Sequence, residues 1–183
     1  MLFSKAVTTQ EELQQILDLQ KKYLAGTNNS AEEKEQGFVT VHHTLQKLIQ
    51  MHALAPSIIV KDEEAVIAYA LVMLAGAVDL IPELQSMFQL FSQLSYKNQP
   101  LAQYRYYVMG QICIDKSYRG QGVFEMLYTK HKELMQGNYD FVVTEIATRN
   151  TRSIRTHERI GFQLLHRFTD SKEEWDVVLW NWH

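Results

Sequence analysis

The stretch Gln111-Ile112-Cys113-Ile114-Asp115-Lys116-Ser117-Tyr118-Arg119-Gly120-Gln121-Gly122-Val123-Phe124 decides the fold, because it reads as a strand, a short turn and the opening of a helix. A helix entered this way leaves several backbone N–H groups unpaired, with the positive end of the helix dipole behind them. Such a site suits an anion, and phosphate is its natural guest. Gly120 and Gly122 can take backbone angles closed to other residues, and without side chains they let a bulky pyrophosphate approach the main chain.

Downstream, the helix after the turn carries Val123, Leu127, His131 and Leu134 inward and stops at Gly137-Asn138. Residues 141–147 make an apolar strand, 151–160 a helix capped by Gly161, and 162–168 and 175–182 two closing strands. Strand, turn, helix and strand in succession imply a parallel pair with a right-handed crossover. Upstream, residues 104–114 form the strand that leads into the turn, and Gly110 within it marks a bulge or a close approach to the backbone. Residues 57–61 and 65–74 flank Asp62-Glu63-Glu64 as an antiparallel hairpin. Between them and the central strand, Pro82 opens an inserted helix bearing Leu84, Met87, Phe88, Phe91 and Leu94, closed by a polar segment over 95–100.

The chain opens with a strand over 2–7 and a helix whose Thr9 and Glu12 form a capping box, with Leu13, Ile16, Leu17 and Leu24 toward the core. Turn chemistry over 26–30 follows, then a short helix over 31–36 capped by Ser30 and Glu33, and a helix from Thr40 carrying Leu45, Leu48, Ile49 and His52. The elements describe one mixed sheet in an α+β or α/β arrangement, without internal repeats.

The 183 residues suit a single domain over 1–183 with a substantial core. A net charge of −3 argues against a nucleic-acid surface, which needs clustered Lys and Arg. Cys113 is the only cysteine, which excludes an intrachain disulfide and a cysteine-based zinc cluster and fits a reducing, cytoplasmic setting. Residues 1–7 lack a signal-peptide pattern, and the longest apolar run, 65–78, falls short of the ~20 residues of a membrane helix. Neither a nucleic acid nor a membrane is expected as a partner.

Three phosphate-binding patterns compete for the glycine turn. No Gly-Lys-Ser/Thr follows it, which rejects the Walker pattern, and Glu125 stands where the dinucleotide pattern needs its third glycine. Arg119-Gly120-Gln121-Gly122-Val123-Phe124 instead resembles the acyl-CoA turn of the GNAT N-acetyltransferase superfamily at every position but the last, where a small residue is usual. Asn150-Thr151-Arg152-Ser153-Ile154-Arg155-Thr156-His157-Glu158-Arg159-Ile160-Gly161-Phe162 is similar to that family's Asn-x-x-Ala/Ser-Ile-x-x-Tyr-Glu-Lys-x-Gly-Phe segment, and Thr144-Glu145-Ile146 to its Leu-Glu-Val. Over residues 1–100 the resemblance is only an order of elements.

The resemblance implies an α+β (α/β/α) acyl-CoA N-acyltransferase fold, with a central mixed, mostly antiparallel sheet and a splayed parallel strand pair. It implies acetyl-CoA as cosubstrate, its pantetheine arm between the splayed strands along Ile112, Cys113 and Ile114 and beside Asn150 and Ser153. The pyrophosphate would rest on Arg119, Gly120, Gln121, Gly122, Val123 and Phe124. The implied reaction is direct attack by a primary amine of a small molecule or peptide in a ternary complex. An alkyl amine with a pKa of ~10 needs a base, and Glu145, desolvated on an apolar strand, is the candidate; the alternative is a structural Glu bonded to backbone. A backbone N–H of residues 111–114 would hold the oxyanion. His157 stands where the family places a tyrosine acid, and it is either the thiolate's proton donor or a helix residue facing the cleft or core. The alternative to an enzyme is a noncatalytic acyl-CoA sensor or scaffold.

No metal site is expected, since the adjacent His42 and His43 cannot share a helical face and read as solvated. Tyr104, Tyr106 and Tyr107 either floor an acceptor pocket or pack across strands. Cys113 reads as a small buried apolar residue. Trp175, Trp180 and Trp182 cover the neighbours of the last strand or mark a dimer edge, and monomer and homodimer both stay open.

Overall fold

The computed structural model describes residues 1–24, 39, 41–74, 76, 85–171 and 173–183. In chain order the elements are β1 (Leu2–Ala6), α1 (Gln10–Tyr23), α2 (Leu45–Leu54), β2 (Ile58–Asp62), β3 (Ala65–Met73), α3 (Gln85–Phe91) and the two-residue strands β4 (Ser95–Tyr96) and β5 (Gln99–Pro100). Then come β6 (Tyr106–Ile114), α4 (Val123–Met135), β7 (Phe141–Ala147), α5 (Thr151–Ile160), β8 (Gln163–Thr169) and β9 (Glu174–Asn181). Seven strands form one sheet in the order β1-β2-β3-β6-β7-β9-β8. Every neighbouring pair is antiparallel except β6 and β7, which run parallel with α4 as their crossover.

Local chemistry accounts for most boundaries. Thr9 Oγ1 accepts from the Glu12 N–H at 3.2 Å while the Glu12 carboxylate accepts from the Thr9 N–H at 3.3 Å, so α1 starts on the expected capping box. α2 starts later than its sequence suggests, at Leu45, because Thr44 rather than Thr40 caps it, its hydroxyl accepting from the Lys47 N–H at 3.3 Å. The expected turn over 26–30 and helix over 31–36 lie outside the described residues, as does the start of the helix opened by Pro82. The polar segment after α3 folds into the β4–β5 hairpin, with Lys97 and Asn98 both at positive φ in its turn. In α4 Leu134 is 44% exposed and Met135 takes the inward place, continuing the stripe of Leu127, Tyr128 and His131.

The sheet separates two apolar layers. On the front, α1, α2 and α3 bury Ile16, Leu48 and Phe91 against Tyr69, Val108, Phe141 and Val143. On the rear, α4 and α5 close over Val60, Tyr107, Val142 and Val178, with Leu127 and Tyr128 at the centre. Each fully buried side chain of this size contributes about 1.5–3 kcal/mol, so both helical layers are held chiefly by apolar burial.

Two irregularities in β6 place the site. The pairing with β3 jumps from Leu71↔Gln111 to Val72↔Met109, which leaves Gly110 as the extra residue of a bulge. Only Tyr106, Tyr107 and Val108 pair with β7, opposite Phe141, Val142 and Val143, although both strands continue beyond. Past that point the parallel strands part.

Candidate active site

The parted strands leave backbone groups without a ladder. Thr144 on β7 bridges the mouth of the gap, its hydroxyl donating to the Met109 carbonyl at 2.8 Å. Thr144→Val keeps the shape and strands that buried carbonyl, which should lower stability by about 1–3 kcal/mol in denaturant unfolding. Farther along, the Asp115 N–H donates to the Ile67 carbonyl on the β3 side. Strand alternation therefore turns the backbone groups of Ile112 and Ile114 into the gap, and those of Cys113 toward β3. The Cys113 thiol is 6% exposed and is pushed up to about 12 by burial, which suits an inert apolar residue.

Beyond the gap lies the glycine turn. Gly120 and Gly122 have φ of +77° and +76°, in the left-handed region that favours glycine. Gly122 caps α4 without any side-chain acceptor for the first-turn N–H groups, and the first backbone bond into the turn comes from Met126. The turn is anchored from the front layer: the Lys116 N–H donates to Tyr23 Oη at 2.7 Å, and Lys22 pairs with Asp115 at 2.7 Å. Arg119 donates through Nε to the Ile114 carbonyl at 3.2 Å and lies 5.1 Å over the Tyr23 ring. Burial, with a contribution from nearby Arg152, holds its guanidinium below the ordinary pKa. Gln121 folds its amide back onto the Ser117 carbonyl at 2.9 Å, away from the cradle.

From this turn a cleft of about 790 Å³ runs between α4 and α5, lined by Arg119, Gly120, Gly122, Val123, Phe124, Asn150 and Ser153 together with Ile112, Cys113 and Ile114. Arg152 and Arg155 also line it and make no ion pair among the described residues, whereas Arg159 is matched by Glu125 at 2.6 Å. A positive mouth with open helix N–H groups is an anion site on two independent counts. The Phe124 ring is 8% exposed and turns into the rear core, 5.0 Å from Tyr128 and 4.9 Å from His157, so it leaves its own N–H at the turn uncovered by its side chain. Asn150 caps α5, its Oδ1 accepting from the Ser153 N–H at 3.3 Å.

A small pocket of about 80 Å³ sits where β6 and β7 part and shares Ile112, Asn150 and Ser153 with the cleft. Glu145, Gln111 and Trp175 reach it from the front face and Thr144 and His157 from the rear. Glu145 Oε1 is buried without a hydrogen-bond partner, and burial, reinforced by Asp170, pushes the carboxyl up to about 8. His157 is 1% exposed, with Nδ1 2.8 Å from the Ser153 carbonyl and Nε2 2.8 Å from the Tyr128 hydroxyl. A carbonyl can only accept, so Nδ1 carries the hydrogen and Nε2 accepts from Tyr128. Burial draws the imidazole down to about 4, and the neutral ring has no proton directed at the cleft. This geometry supports the second of the two roles open to His157, a packed helix residue.

Besides the bridging role of Thr144, two features escaped the sequence. His43 is 2% exposed rather than solvated, its Nδ1 2.8 Å from Gln20 Nε2, and Gln20 also donates to Gln111 Oε1 at 2.7 Å. Tyr69 donates to the same oxygen at 2.6 Å and Gln111 Nε2 donates to the Val41 carbonyl at 2.8 Å, which ties residues 41–43 to the splayed strand. A lone glutamine in an apolar strand is the one sequence signal for this cluster. Of the three tryptophans read as covering the neighbours of the last strand or marking a dimer edge, Trp180 and Trp182 pack in the rear layer, and Trp175 also lines the pocket, which the sequence did not show. Tyr104 and Tyr106 pack on Phe141 at 5.1 and 5.9 Å, and Tyr107 stacks on His131, so the three tyrosines serve packing. Among the described residues no group of three or more His, Cys, Asp or Glu could hold a metal, and no helix is long and apolar enough to cross a membrane.

Solved structures of similar shape include N-acetyltransferases. The NatC complex bound to Gag peptide and CoA superposes with a TM-score of 0.65 at 11% identity, covering 100% of this chain and 99% of that one. The ribosomal-protein-S18-alanine N-acetyltransferase of Escherichia coli gives 0.64 at 12% identity, with 99% and 94% covered. The Salmonella typhimurium protein yncA, solved with its cofactor acetyl-CoA, gives 0.64 at 11% identity, with 100% and 94% covered. No curated protein is a significant match in sequence. The sequence pattern of the acetyltransferase (GNAT) family matches residues 13–162, most of the chain, and with its splayed parallel pair and glycine turn this protein belongs to that family.

Proposed function

We propose that the protein is an acetyl-CoA-dependent N-acetyltransferase acting on a primary amine by direct attack in a ternary complex. The observation that carries this reading is a pair of adjoining cavities sharing Ile112, Asn150 and Ser153, one with the anion cradle and the other with the unpartnered carboxyl of Glu145. Similar folds solved with CoA or acetyl-CoA bound add support. The pyrophosphate takes the turn from Arg119 to Phe124, with Arg152 and Arg155 beside it, and the pantetheine amides meet Ile112, Ile114 and Asn150. Seven of the nine strands join one sheet with the helices against it, and the β4–β5 hairpin inserted between β3 and β6 packs on that core through Tyr96 and Phe141, which supports a single domain over 1–183. A buried lone cysteine suits a reducing, cytoplasmic setting.

In the reaction Glu145 takes a proton from the ammonium group, directly or through one water. The amine nitrogen then forms a bond to the thioester carbonyl carbon, and a backbone N–H of the β6 segment over 111–114 holds the oxyanion. Collapse breaks the C–S bond, and the second proton of the now cationic nitrogen is lost to solvent to leave the neutral amide. The leaving thiolate, whose thiol has a pKa of ~8.5, is stable enough to depart as the anion and take its proton from solvent. No donor at His157 is needed.

The test has two stages. Acetyl-CoA at 100 times its Kd should add about 2.7 kcal/mol of stability and raise Tm by roughly 5–10 °C, and CoA thiol should then appear when primary amines are supplied. Absence of any melting shift removes the acetyl-CoA reading. A shift without thiol release from peptide N-termini, amino sugars or polyamines replaces the enzyme with an acyl-CoA sensor.

A further inference from the structure

Two polar atoms of the small pocket, Glu145 Oε1 and Trp175 Nε1, are shielded from water and carry no hydrogen bond. Native structures hold few such atoms, and each one calls for a partner that the chain itself does not supply. Their proximity follows from the register of β7 and β9. Glu145 pairs with Val177 and Ala147 with Trp175, which makes Glu145 and Trp175 diagonal neighbours on one face of the sheet, a spacing of about 7–8 Å that a long carboxyl and an indole readily bridge through one small molecule. Of the other polar side chains at the pocket, Thr144 is committed to the Met109 carbonyl, Gln111 to Gln20, Tyr69 and Val41, and His157 to Tyr128 and Ser153, while Asn150 caps α5 through Oδ1 and the Ser153 hydroxyl lies 3.3 Å from His157 Nδ1.

The two unpartnered groups differ in chemistry. An indole N–H can only donate, whereas a carboxyl can take a proton. The carboxyl therefore claims the nitrogen of the acceptor, and the negative field of Asp170 beside it favours an arriving ammonium. The indole is then matched only by a lone pair elsewhere on the same acceptor. An alkylamine or polyamine carries no oxygen for it and would leave the N–H buried and unpaired.

We infer that Trp175 is a specificity-determining residue whose indole N–H receives a carbonyl or hydroxyl oxygen a few bonds from the acceptor's primary amine. The substrate class is then the oxygen-bearing amine, an amino amide such as a peptide N-terminus or an amino alcohol such as an amino sugar. This inference rests on the N-acetyltransferase reading of the same site.

The experiment measures kcat/KM, per concentration of the ammonium form that the site receives, for two matched pairs: alaninamide against the amine with isopropyl in place of its carboxamide, and alaninol against sec-butylamine. The oxygen-bearing member should be preferred roughly 10- to 100-fold in at least one pair, because the other leaves a buried donor unpaired. The pair with the larger ratio distinguishes carbonyl from hydroxyl. Trp175→Phe should bring that ratio close to one, whatever it does to each rate alone. A wild-type ratio near one overturns the inference and needs no variant, so a poorly folded Trp175→Phe does not protect it. A ratio that survives in Trp175→Phe overturns it too, as does a raised KM for acetyl-CoA with equal losses on both members, which would assign the indole to the thioester. If acetyl-CoA binds but no amine of either kind releases CoA, the enzyme reading fails and the inference falls with it; CoA release from both members without preference sinks the inference alone.

Discussion

Glu145→Gln should lower kcat/KM for amine acetylation by about 10²- to 10⁴-fold, the usual contribution of a positioned general base, while acetyl-CoA still raises the melting temperature. Glutamine preserves the side chain's shape and removes its basicity, so binding and chemistry separate. The wild-type pH dependence carries the same signature. The Glu145 carboxyl is pushed up to about 8 by burial and by Asp170, so kcat/KM should rise with pH through that value, and this limb should vanish in Glu145→Gln. Stability must move the other way. The native state holds this proton at pH values where the unfolded chain, with a carboxyl near the ordinary 4.5, has released it. The stabilising contribution is complete below about pH 4.5, falls as pH rises toward about 8, and is lost above it. Glu145→Gln should flatten that slope in urea titrations across pH. An unchanged rate profile in the variant would remove Glu145 from the chemistry.

The opposed slopes describe a site that stores a desolvated carboxyl at the expense of the fold, as functional sites commonly do. The sequence showed a glutamate among Phe141, Val143 and Ala147 on one strand face but left open a structural Glu bonded to backbone, and the unpartnered Oε1 speaks against that alternative. The parallel pairing of β6 with β7, both glycines of the turn, the Asn150 cap and an irregularity at Gly110 were also legible, because each depends on local chemistry or on hydrophobic period; the place of β3 on the other side of β6 was not. The role of Trp175 was not. Which face it joins depends on the register of β9 against β7, and a one-residue slip would send it to the rear layer with Trp180. His43 was misread for a related reason: its partners, Gln20 and Gln111, come from remote parts of the chain, and no local pattern announces a buried cluster assembled across 91 residues. Thr144 escaped because a threonine in a strand is unremarked until the strands beside it part and leave a carbonyl to be met.

Gly122→Ala should weaken acetyl-CoA binding by roughly 10- to 100-fold, the loss of about 1–3 kcal/mol that follows when open donors meet their guest in poor geometry. A Cβ at Gly122 meets no heavy atom within 4 Å, so the protein itself has room for the methyl group. Its folding cost comes from the backbone alone: φ is +76°, and a residue with a Cβ loses about 1–2 kcal/mol there, a fall in Tm of roughly 2–8 °C. The binding loss is a separate matter, since that open space is the cleft where the cradle faces its ligand and the first-turn N–H groups of α4 converge. Gly137→Ala serves as the comparison, since nothing crowds that position, its φ is not positive and it lies outside the cleft; it should bind acetyl-CoA as the wild type does. Isothermal titration of both variants decides the matter. If Gly122→Ala binds like Gly137→Ala, the pyrophosphate does not rest on this turn, and the arginines of α5 would have to hold it by charge alone.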